Sequence, residues 1–359
     1  MPNVPVVKPY LPNREKYERY IKRIFQSGCL TNRGPLVQEL ETRLQDYLQV
    51  RNVICVSNCT LGLQVLFSAL ELNGDVVTTP FSFVATKSSL EWEGLRPIFA
   101  DINPNSWNLS PDLVEAKIDA NTSALLGVHV YGNPCDVADL QSISERHSVP
   151  VIYDAAHAFG VKTDGESVLS WGDGSVLSFH ATKLFHTVEG GAVIVQNDDI
   201  ADKVRSLISF GSVPQSGGTK LGINAKMSEF HAAMGLAVLD DINKIISERK
   251  EYYLQYTESL KSAFQLQRIE STTTYNYAYF PIVFPTEEKL LACEEKLNKS
   301  LIFPRRYFYP SLEHGNQSGQ IECKVGFDIA KRVLCLPIYP GLGERDVSRI
   351  CEIVAKFGI

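Results

Sequence analysis

GSVLSFHATKLFHTVEGGAVIVQ, residues 174–196, contains two short apolar runs joined by a polar turn that carries a lysine. Residues 174–179 and 191–196 are rich in valine, leucine and isoleucine and begin with glycine, which predicts two β-strands. Lys183 follows the first of them directly, among serine, threonine and histidine. Strand ends in open α/β sheets line the crevice where ligands bind, so this stretch predicts a functional lysine at a sheet edge.

A partly buried lysine supports chemistry that a solvated one does not. Its neutral amine forms imines with aldehydes and acts as nucleophile and base. Near Lys183, the hydroxyl of Ser178 is suited to a phosphate, while Gly190 and Gly191 permit close backbone approach. A solvated surface lysine is the alternative interpretation for any single lysine.

Outside this stretch, short β-rich runs alternate with helical patterns. The further runs are VICV at 53–56, VVTT at 76–79, RPIFADI from Arg96, SALLGVHVYG from Ser123 and VPVIYD from Val149. This alternation predicts a largely parallel sheet with helices on both faces, an α/β/α sandwich. Two amphipathic helices are predicted before it, around 17–25 and 36–48.

The pattern changes near Met227. The later predicted elements are a long helical stretch at 227–260, a strand from Tyr275, a helix from Thr286 and a last helix at 344–357. We therefore expect a large α/β domain, residues 1–240, followed by a smaller C-terminal α+β domain, residues 241–359.

Two further strand ends carry polar residues. VPVIYDAAHAFG ends its strand at Asp154, a carboxylate at the ligand-binding edge, with His157 three residues later. Helix capping by Asp154 and simple packing of His157 are the alternatives.

VSNCTLGL places Cys59 and Thr60 at a predicted helix start, which favours phosphate, although N-capping explains the pattern as well. Phe83, after the next strand, can stack on a planar ring or belong to the core.

Composition excludes several classes of protein. The 359 residues, 44% hydrophobic and 21% charged, suit a globular protein with a large core, and no apolar run approaches the roughly 18 to 20 residues of a membrane span. A formal charge of −6 gives no footprint for nucleic acid. The eight cysteines form no CxxC pair, so neither a metal site nor a disulfide framework is expected. The first 20 residues lack the pattern of a secretion signal, so a cytoplasmic location is expected.

Taken in order, these segments resemble the sugar aminotransferases of the DegT/DnrJ/EryC1/StrS family, which are fold-type I enzymes that use pyridoxal 5′-phosphate (PLP). The resemblance covers nearly the whole chain. It is carried by LTNRGPLVQELE, VSNCTLGL, TTPFSFVAT, PIFADINP, VHVYGNPCDV, YDAAHAFG, SFHATKLFHTVEGGA, GINAKMSEFHAAMGL, RRYFYPSL and LPIYPGL. It implies the fold-type I aminotransferase architecture and PLP as cofactor.

The resemblance also assigns roles on the ring side of the cofactor. It implies that PLP is covalently bound to Lys183 and that Asp154 keeps the ring nitrogen protonated. His157 is expected beside the ring, near its 3′ oxygen, and Phe83 is expected to stack on the ring.

On the phosphate side, the resemblance implies contacts from Thr60, Ser178 and the backbone at Cys59. Asn224 is expected to reach the phosphate of the neighbouring subunit, so the active site requires a homodimer. Two positions depart from many relatives, which have glycine in place of Cys59 and alanine in place of Gly62. Cys59 can still supply a backbone N–H.

Residues 178–191 and 305–312 look most like enzymes that act on dTDP-linked keto-6-deoxyhexoses. The first expectation is transfer of an amino group from L-glutamate to C4 of dTDP-4-keto-6-deoxy-D-glucose, giving dTDP-4-amino-4,6-dideoxy-D-glucose for O-antigen or related glycans. Transfer to C3 of the 3-keto isomer, the same reaction on a UDP- or GDP-linked sugar, and a non-catalytic regulatory protein are the alternatives. Sugar dehydration is disfavoured, because those relatives carry histidine in place of Lys183.

Candidate substrate residues follow near the end of the chain. The cations available for a pyrophosphate are Arg305, Arg306, Lys331 and Arg332, with Tyr307 and Tyr309 as candidates for the sugar pocket. Solvated charge and core packing are the alternatives for each. The loop at 211–222 is expected to help define which face of the sugar meets the cofactor.

Overall fold

A seven-stranded sheet forms the centre of the structure, a computed structural model that describes residues 3–211, 221–314 and 321–358. The helices are α1 (Arg14–Ser27), α2 (Pro35–Leu48), α3 (Cys59–Ala69), α4 (Val84–Trp92), α5 (Pro111–Glu115), α6 (Val137–His147), α7 (Asp198–Leu207), α8 (Glu229–Leu239), α9 (Ile242–Leu260), α10 (Glu287–Lys299), α11 (Lys324–Arg332) and α12 (Glu344–Val354). The strands are β1 (Val4–Pro5), β2 (Asn52–Val56), β3 (Asp75–Thr78), β4 (Arg96–Phe99), β5 (Thr122–Val128), β6 (Val151–Asp154), β7 (Lys162–Thr163), β8 (Glu166–Ser167), β9 (Gly174–Ser178), β10 (Gly191–Val195), β11 (Gln265–Leu266), β12 (Thr273–Thr274), β13 (Phe280–Val283), β14 (Ile302–Phe303) and β15 (Val333–Leu336).

The strand order of the central sheet is β2-β10-β9-β6-β5-β3-β4. Every neighbouring pair is parallel except the two pairs of β10, which is antiparallel to β2 and to β9. All seven strands overlap the predicted runs, and β2, β3 and β5 begin one residue before them. The predicted largely parallel sheet is therefore confirmed.

Helices cover both faces of this sheet. Successive side chains of a strand point to opposite faces, so each central strand contributes to two cores. In β9, Leu177 joins a core with side chains of α1, α2 and α8, while Val176 joins a second core with side chains of α3 and α7. This arrangement is the predicted α/β/α sandwich. It brings the carboxyl ends of β6 and β9, which are adjacent and parallel, to one edge.

The start of α2 shows how distant segments of the sandwich are joined. Its N-cap, Gly34, offers no side chain, so the first N–H groups need another acceptor. The fully buried carboxylate of Glu229 accepts hydrogen bonds from the N–H groups of Leu36 (2.8 Å) and Val37 (2.9 Å). A negative charge at this position also complements the helix dipole.

A smaller α+β unit follows the central sheet. The antiparallel sheet β11-β13-β15 packs with α9, α10 and α12 around a separate core that includes Tyr256, Phe280 and Leu336. The strand predicted from Tyr275 is shorter in the structure, where β13 begins at Phe280, and the helices predicted from Thr286 and at 344–357 are α10 and α12. The first strand, β1, pairs with β14 of this unit, and the division at residue 240 stays a prediction.

The helix predicted at 227–260 is two helices, α8 and α9, with a break at Asp240 and Asp241. The carboxylate of Asp241 accepts hydrogen bonds from Tyr10 (3.0 Å) and Lys16 (2.7 Å), and that of Asp240 accepts one from Arg43 (2.8 Å). Residues distant in sequence thus stabilise the break between α8 and α9. A periodic pattern of apolar residues does not reveal such contacts. Within the three described ranges, no helix is long and apolar enough to cross a membrane.

Candidate active site

Lys183 lies in the turn that follows β9, where its backbone N–H donates to the carbonyl of His180 (2.8 Å). The lysine side chain is half-buried. Its Nζ donates to the hydroxyl of Tyr279, 3.3 Å away. The turn therefore directs the amine inward, as the sequence predicts for a functional lysine.

Asp154 ends β6, the neighbour of β9, and is only 5% exposed. One carboxylate oxygen accepts a hydrogen bond from the hydroxyl of Thr86 (2.7 Å), and the other accepts one from the N–H of Ala156 (3.1 Å). Burial raises the pKa of Asp154, whereas these two hydrogen bonds and the positive charge of Lys183 act to lower it. The ionised form of Asp154 is thus stabilised by these two hydrogen bonds and by the charge of Lys183.

Within the described residues, no cation forms an ion pair with Asp154. A buried carboxylate without a cationic partner is costly, so the site favours a ligand with a positive charge. The protonated ring nitrogen of PLP fits this requirement.

His157 lies beside these residues and is 7% exposed. Its Nδ1 accepts a hydrogen bond from the backbone N–H of Tyr131 (3.1 Å). Burial lowers its pKa well below the ordinary value, so the ring is neutral and its proton belongs on Nε2. The imidazole is parallel to the ring of Phe308 (3°, centroids 5.7 Å apart). His157 is therefore held as a neutral hydrogen-bond donor.

The start of α3 lies at the same edge of the sheet. Asn58 caps this helix by accepting from the N–H of Leu61 (2.8 Å), which leaves Cys59 and Thr60 in its first turn. The register pairs Gly191 with Ser178, and a Cβ at Gly191 would lie 2.8 Å from the backbone nitrogen of Cys59. Glycine is thus required for the strand to pass beneath the helix start. A helix start beside a serine hydroxyl suits a phosphate.

Three further details concern this region. The hydroxyl of Ser57 is buried and has no hydrogen-bond partner in the part of the chain that the structure describes. Burial raises the pKa of the Cys59 thiol well above its ordinary value, so Cys59 remains neutral. At Gly62, a Cβ would lie 2.7 Å from a methyl group of Val176, so glycine at this position allows α3 to pack closely on β9.

Phe83 precedes α4 and is 56% exposed, so it is not a core phenylalanine. It borders a cavity of about 550 Å³, whose other lining residues include Arg305, Tyr307, Tyr309 and Lys87. The cavity is large enough for part of a sugar nucleotide. A larger cleft of about 920 Å³ lies between α3 and α7, and neither Lys183 nor Asp154 lines this cleft or the 550 Å³ cavity.

Of the four candidate cations, Arg305 is exposed at the cavity and forms no ion pair with another described residue. Arg306 is bound to Glu287 (2.6 Å) and covers the ring of Tyr309 (3.7 Å to the centroid). Lys331 lies 4.0 Å from the carboxylate of Glu287.

Arg332 pairs with Asp328 and donates to the carbonyl of Phe284 (2.6 Å). Arg306, Lys331 and Arg332 thus each lie at a carboxylate, and Arg305 is the remaining candidate for the substrate.

Asn224 is exposed, and its backbone bridges to Ser209. It does not line the 550 Å³ cavity of its own chain. Of the loop at 211–222, residues 212–220 lie outside the described residues.

Sequence reasoning missed Thr86 and Tyr279, which contact Asp154 and Lys183. It also missed Tyr131 and Phe308, which hold His157. Thr86 lies three residues after Phe83 in PFSFVAT, and Tyr279 lies in the predicted strand from Tyr275. A local signal therefore existed for both, but it did not reveal their partners.

The fold and this site define a fold-type I aminotransferase: a parallel sheet with one antiparallel strand, a half-buried lysine after β9 and a buried carboxylate at the end of β6. The model of the DegT/DnrJ/EryC1/StrS aminotransferase family matches residues 13–355, and the chain belongs to this family. The protein is thus an aminotransferase, and PLP is the cofactor of its family. The expected family, fold class and enzyme class are confirmed.

Relatives match over nearly the full length. The dTDP-4-amino-4,6-dideoxy-D-glucose transaminase of Shigella dysenteriae is 39% identical over 360 residues, 97% of this chain and 98% of the relative. The transaminase of the same name from Escherichia coli is 36% identical over 362 residues, 98% of each chain. A crystal structure of DesI in the presence of its TDP-sugar product has a TM-score of 0.94 and 34% identity, with 99% of this chain and 92% of that chain covered.

The hydrogen bond from Thr86 allows the ionisation of Asp154 to be tested. Its removal in Thr86→Val should raise the pKa of Asp154, because this bond lowers it in the native protein. The carboxylate would then become protonated at a higher pH, so retention of PLP should be lost at a higher pH than in the unaltered protein. Bound PLP is measured by visible absorbance after dialysis across a pH series.

Thr42→Val provides the matched control, because it removes an exposed hydroxyl that contacts a backbone carbonyl in α2. It should leave PLP retention unchanged. An unshifted pH dependence in Thr86→Val would mean that Thr86 does not control the charge of Asp154.

Proposed function

We propose that this protein transfers an amino group from L-glutamate to C4 of dTDP-4-keto-6-deoxy-D-glucose, forming dTDP-4-amino-4,6-dideoxy-D-glucose. The observation that carries the aminotransferase chemistry is the half-buried amine of Lys183 at the same sheet edge as the unpaired, buried carboxylate of Asp154. The identity of 39% with the Shigella dysenteriae transaminase supports the choice of sugar nucleotide. A cytoplasmic location and a role in O-antigen or related glycans are part of the proposal.

The residues at the sheet edge would hold PLP, with Lys183 as its covalent attachment. When bound, PLP supplies an electron sink and carries the amino group from donor to acceptor. Asp154 would hold a positive charge on the ring nitrogen, because its buried carboxylate has no ion-pair partner among the described residues. His157 would donate from Nε2 to the 3′ oxygen, and Phe83 would cover the ring.

The phosphate of PLP would lie at the start of α3. Thr60 and Ser178 offer hydroxyl groups there, and the backbone N–H of Cys59 belongs to the first turn of the helix. Asn224 of a second subunit would complete this contact, which makes the homodimer the active form.

Lys183 would also act as the general acid and base. With PLP bound, the amine of Lys183 would take the proton from the α-carbon of glutamate in the first half of the reaction. In the second half it would deliver a proton to C4 of the sugar. Because the side chain is half-buried, competing water is partly excluded from the amine.

The assay that tests this function uses purified protein, PLP, L-glutamate and dTDP-4-keto-6-deoxy-D-glucose, with products identified by mass spectrometry and NMR. We expect an amine at C4 without any further enzyme. An amine at C3 that forms only when a 3,4-ketoisomerase is added would select the C3 alternative. Product that forms only with UDP- or GDP-linked keto sugars would mean that the substrate carries one of those nucleotides.

The same assay tests Lys183. Lys183→Ala should lose turnover by several orders of magnitude, because both the attachment and the acid/base group are removed. An active Lys183→Ala enzyme with unchanged thermal stability would contradict the assignment.

The exposed guanidinium of Arg305 would bind the pyrophosphate of the sugar nucleotide. Arg305→Ala should raise KM for the sugar nucleotide roughly tenfold, since charge-assisted hydrogen bonds are worth about 1.5–3 kcal/mol, while KM for glutamate stays constant. Arg345→Ala, at an exposed position in α12, is the control. Equal KM values for the sugar nucleotide in both variants would mean that Arg305 does not bind the substrate.

The role of Asn224 across the subunit interface can be tested with mixed dimers. Lys183→Ala and Asn224→Ala should each be poorly active alone. If Asn224 acts on the neighbouring site, a hybrid dimer has one site with both defects and one intact site, so random mixing should restore roughly a quarter of the activity. If Asn224 acts within its own chain, both sites of the hybrid carry one defect and activity should not recover.

A further inference from the structure

Tyr279 approaches the reactive lysine from the smaller α+β unit. Its hydroxyl accepts a hydrogen bond from Nζ of Lys183 (3.3 Å), and Nζ lies 5.9 Å from the centroid of its ring. The two residues are 96 positions apart, and Tyr279 directly precedes β13. The amine of Lys183 is thus held by a residue that lies outside the central sheet.

The backbone near Tyr279 is fixed by Asn276, which is 2% exposed. The side-chain oxygen of Asn276 accepts from the N–H of Ala278 (3.1 Å). Its amide nitrogen donates to the carbonyls of His157 (2.8 Å) and Phe159 (3.0 Å). The segment that carries Tyr279 is therefore tied to the backbone at His157.

Aromatic rings restrict the side chain of Tyr279 as well. Its ring centroid lies 4.7 Å from that of His157, 5.6 Å from that of Tyr131 and 6.1 Å from that of Tyr307. With the ring enclosed on these sides and the backbone tied by Asn276, the hydroxyl has a defined position.

We propose that Tyr279 is a positioning residue for Lys183, whose free ε-amine it holds by the hydrogen bond seen in the structure. The inference rests on the proposed role of Lys183 as attachment and general base. A lysine has a flexible four-carbon stem, and proton transfer requires a defined approach of the amine to the carbon. A fixed hydroxyl at 3.3 Å reduces the number of positions that the amine can adopt.

Tyr279→Phe removes the hydroxyl and keeps the ring. We expect kcat to fall roughly tenfold, because one hydrogen bond is lost in the transition state. KM for glutamate should change little. Because proton transfer becomes slower than the other steps, the deuterium isotope effect on kcat with α-deuterated glutamate should increase. A purely structural role would not increase it.

A second measurement does not depend on turnover. PLP is mixed with apo-protein, and the growth of visible absorbance reports its covalent attachment to the lysine. In Tyr279→Phe the attachment rate should fall roughly tenfold while the final absorbance stays the same, because the amine is less well positioned but the site is intact. Tyr277→Phe, two residues away with its ring against Tyr253 and Tyr275, should behave as the unaltered protein.

The outcomes separate this inference from the proposed function. Wild-type kcat, isotope effect and attachment rate in Tyr279→Phe would overturn the inference. Lower activity with lower PLP content and an unchanged isotope effect would also overturn it, since Tyr279 would then only support packing. The proposed function itself fails if the unaltered protein forms no amine at C4 of dTDP-4-keto-6-deoxy-D-glucose or if Lys183→Ala remains active.

Discussion

The site depends on a carboxylate buried at the end of a parallel strand. Asp154 has two hydrogen bonds and no cation bound to it within the described residues, so its negative charge is incompletely compensated. Thr86 and Lys183 reduce the cost of that charge but do not remove it. The remaining requirement for a positive group gives a physical reason why a protonated heterocycle would bind here rather than at the larger cleft between α3 and α7.

The surrounding geometry follows from the single antiparallel strand. β10 lies between β2 and β9 and brings Gly191 beneath the start of α3, where a Cβ would collide with the backbone of Cys59. The helix start, the end of β9 with Ser178 and the turn with Lys183 consequently share one edge. A phosphate and a ring nitrogen can therefore be bound by groups that the sheet itself aligns.

Apolar runs predicted the seven central strands, which helices cover on both faces, and helical periodicity predicted the later helices, each of which buries one face. The positions of Asp154 at the end of β6 and of Lys183 in the turn after β9 followed from the same strand predictions. Thr86 and Tyr279 were not, since they meet their partners across 68 and 96 positions. The break between α8 and α9 was missed because α9 begins where Asp241 bonds to Tyr10, a contact that no local pattern contains.

The two halves of the site lie in different parts of the fold. Residues at the cofactor edge lie on strands and helix starts with buried hydrogen-bond partners, whereas the cavity beside Phe83 is bordered by residues 305–312, a segment outside the central sheet. Tyr131 joins the halves, because its N–H binds His157 and its hydroxyl donates to the carbonyl of Tyr307. Residues 305–312 are held against the cofactor edge by this contact and by the ring of Phe308, which is parallel to that of His157.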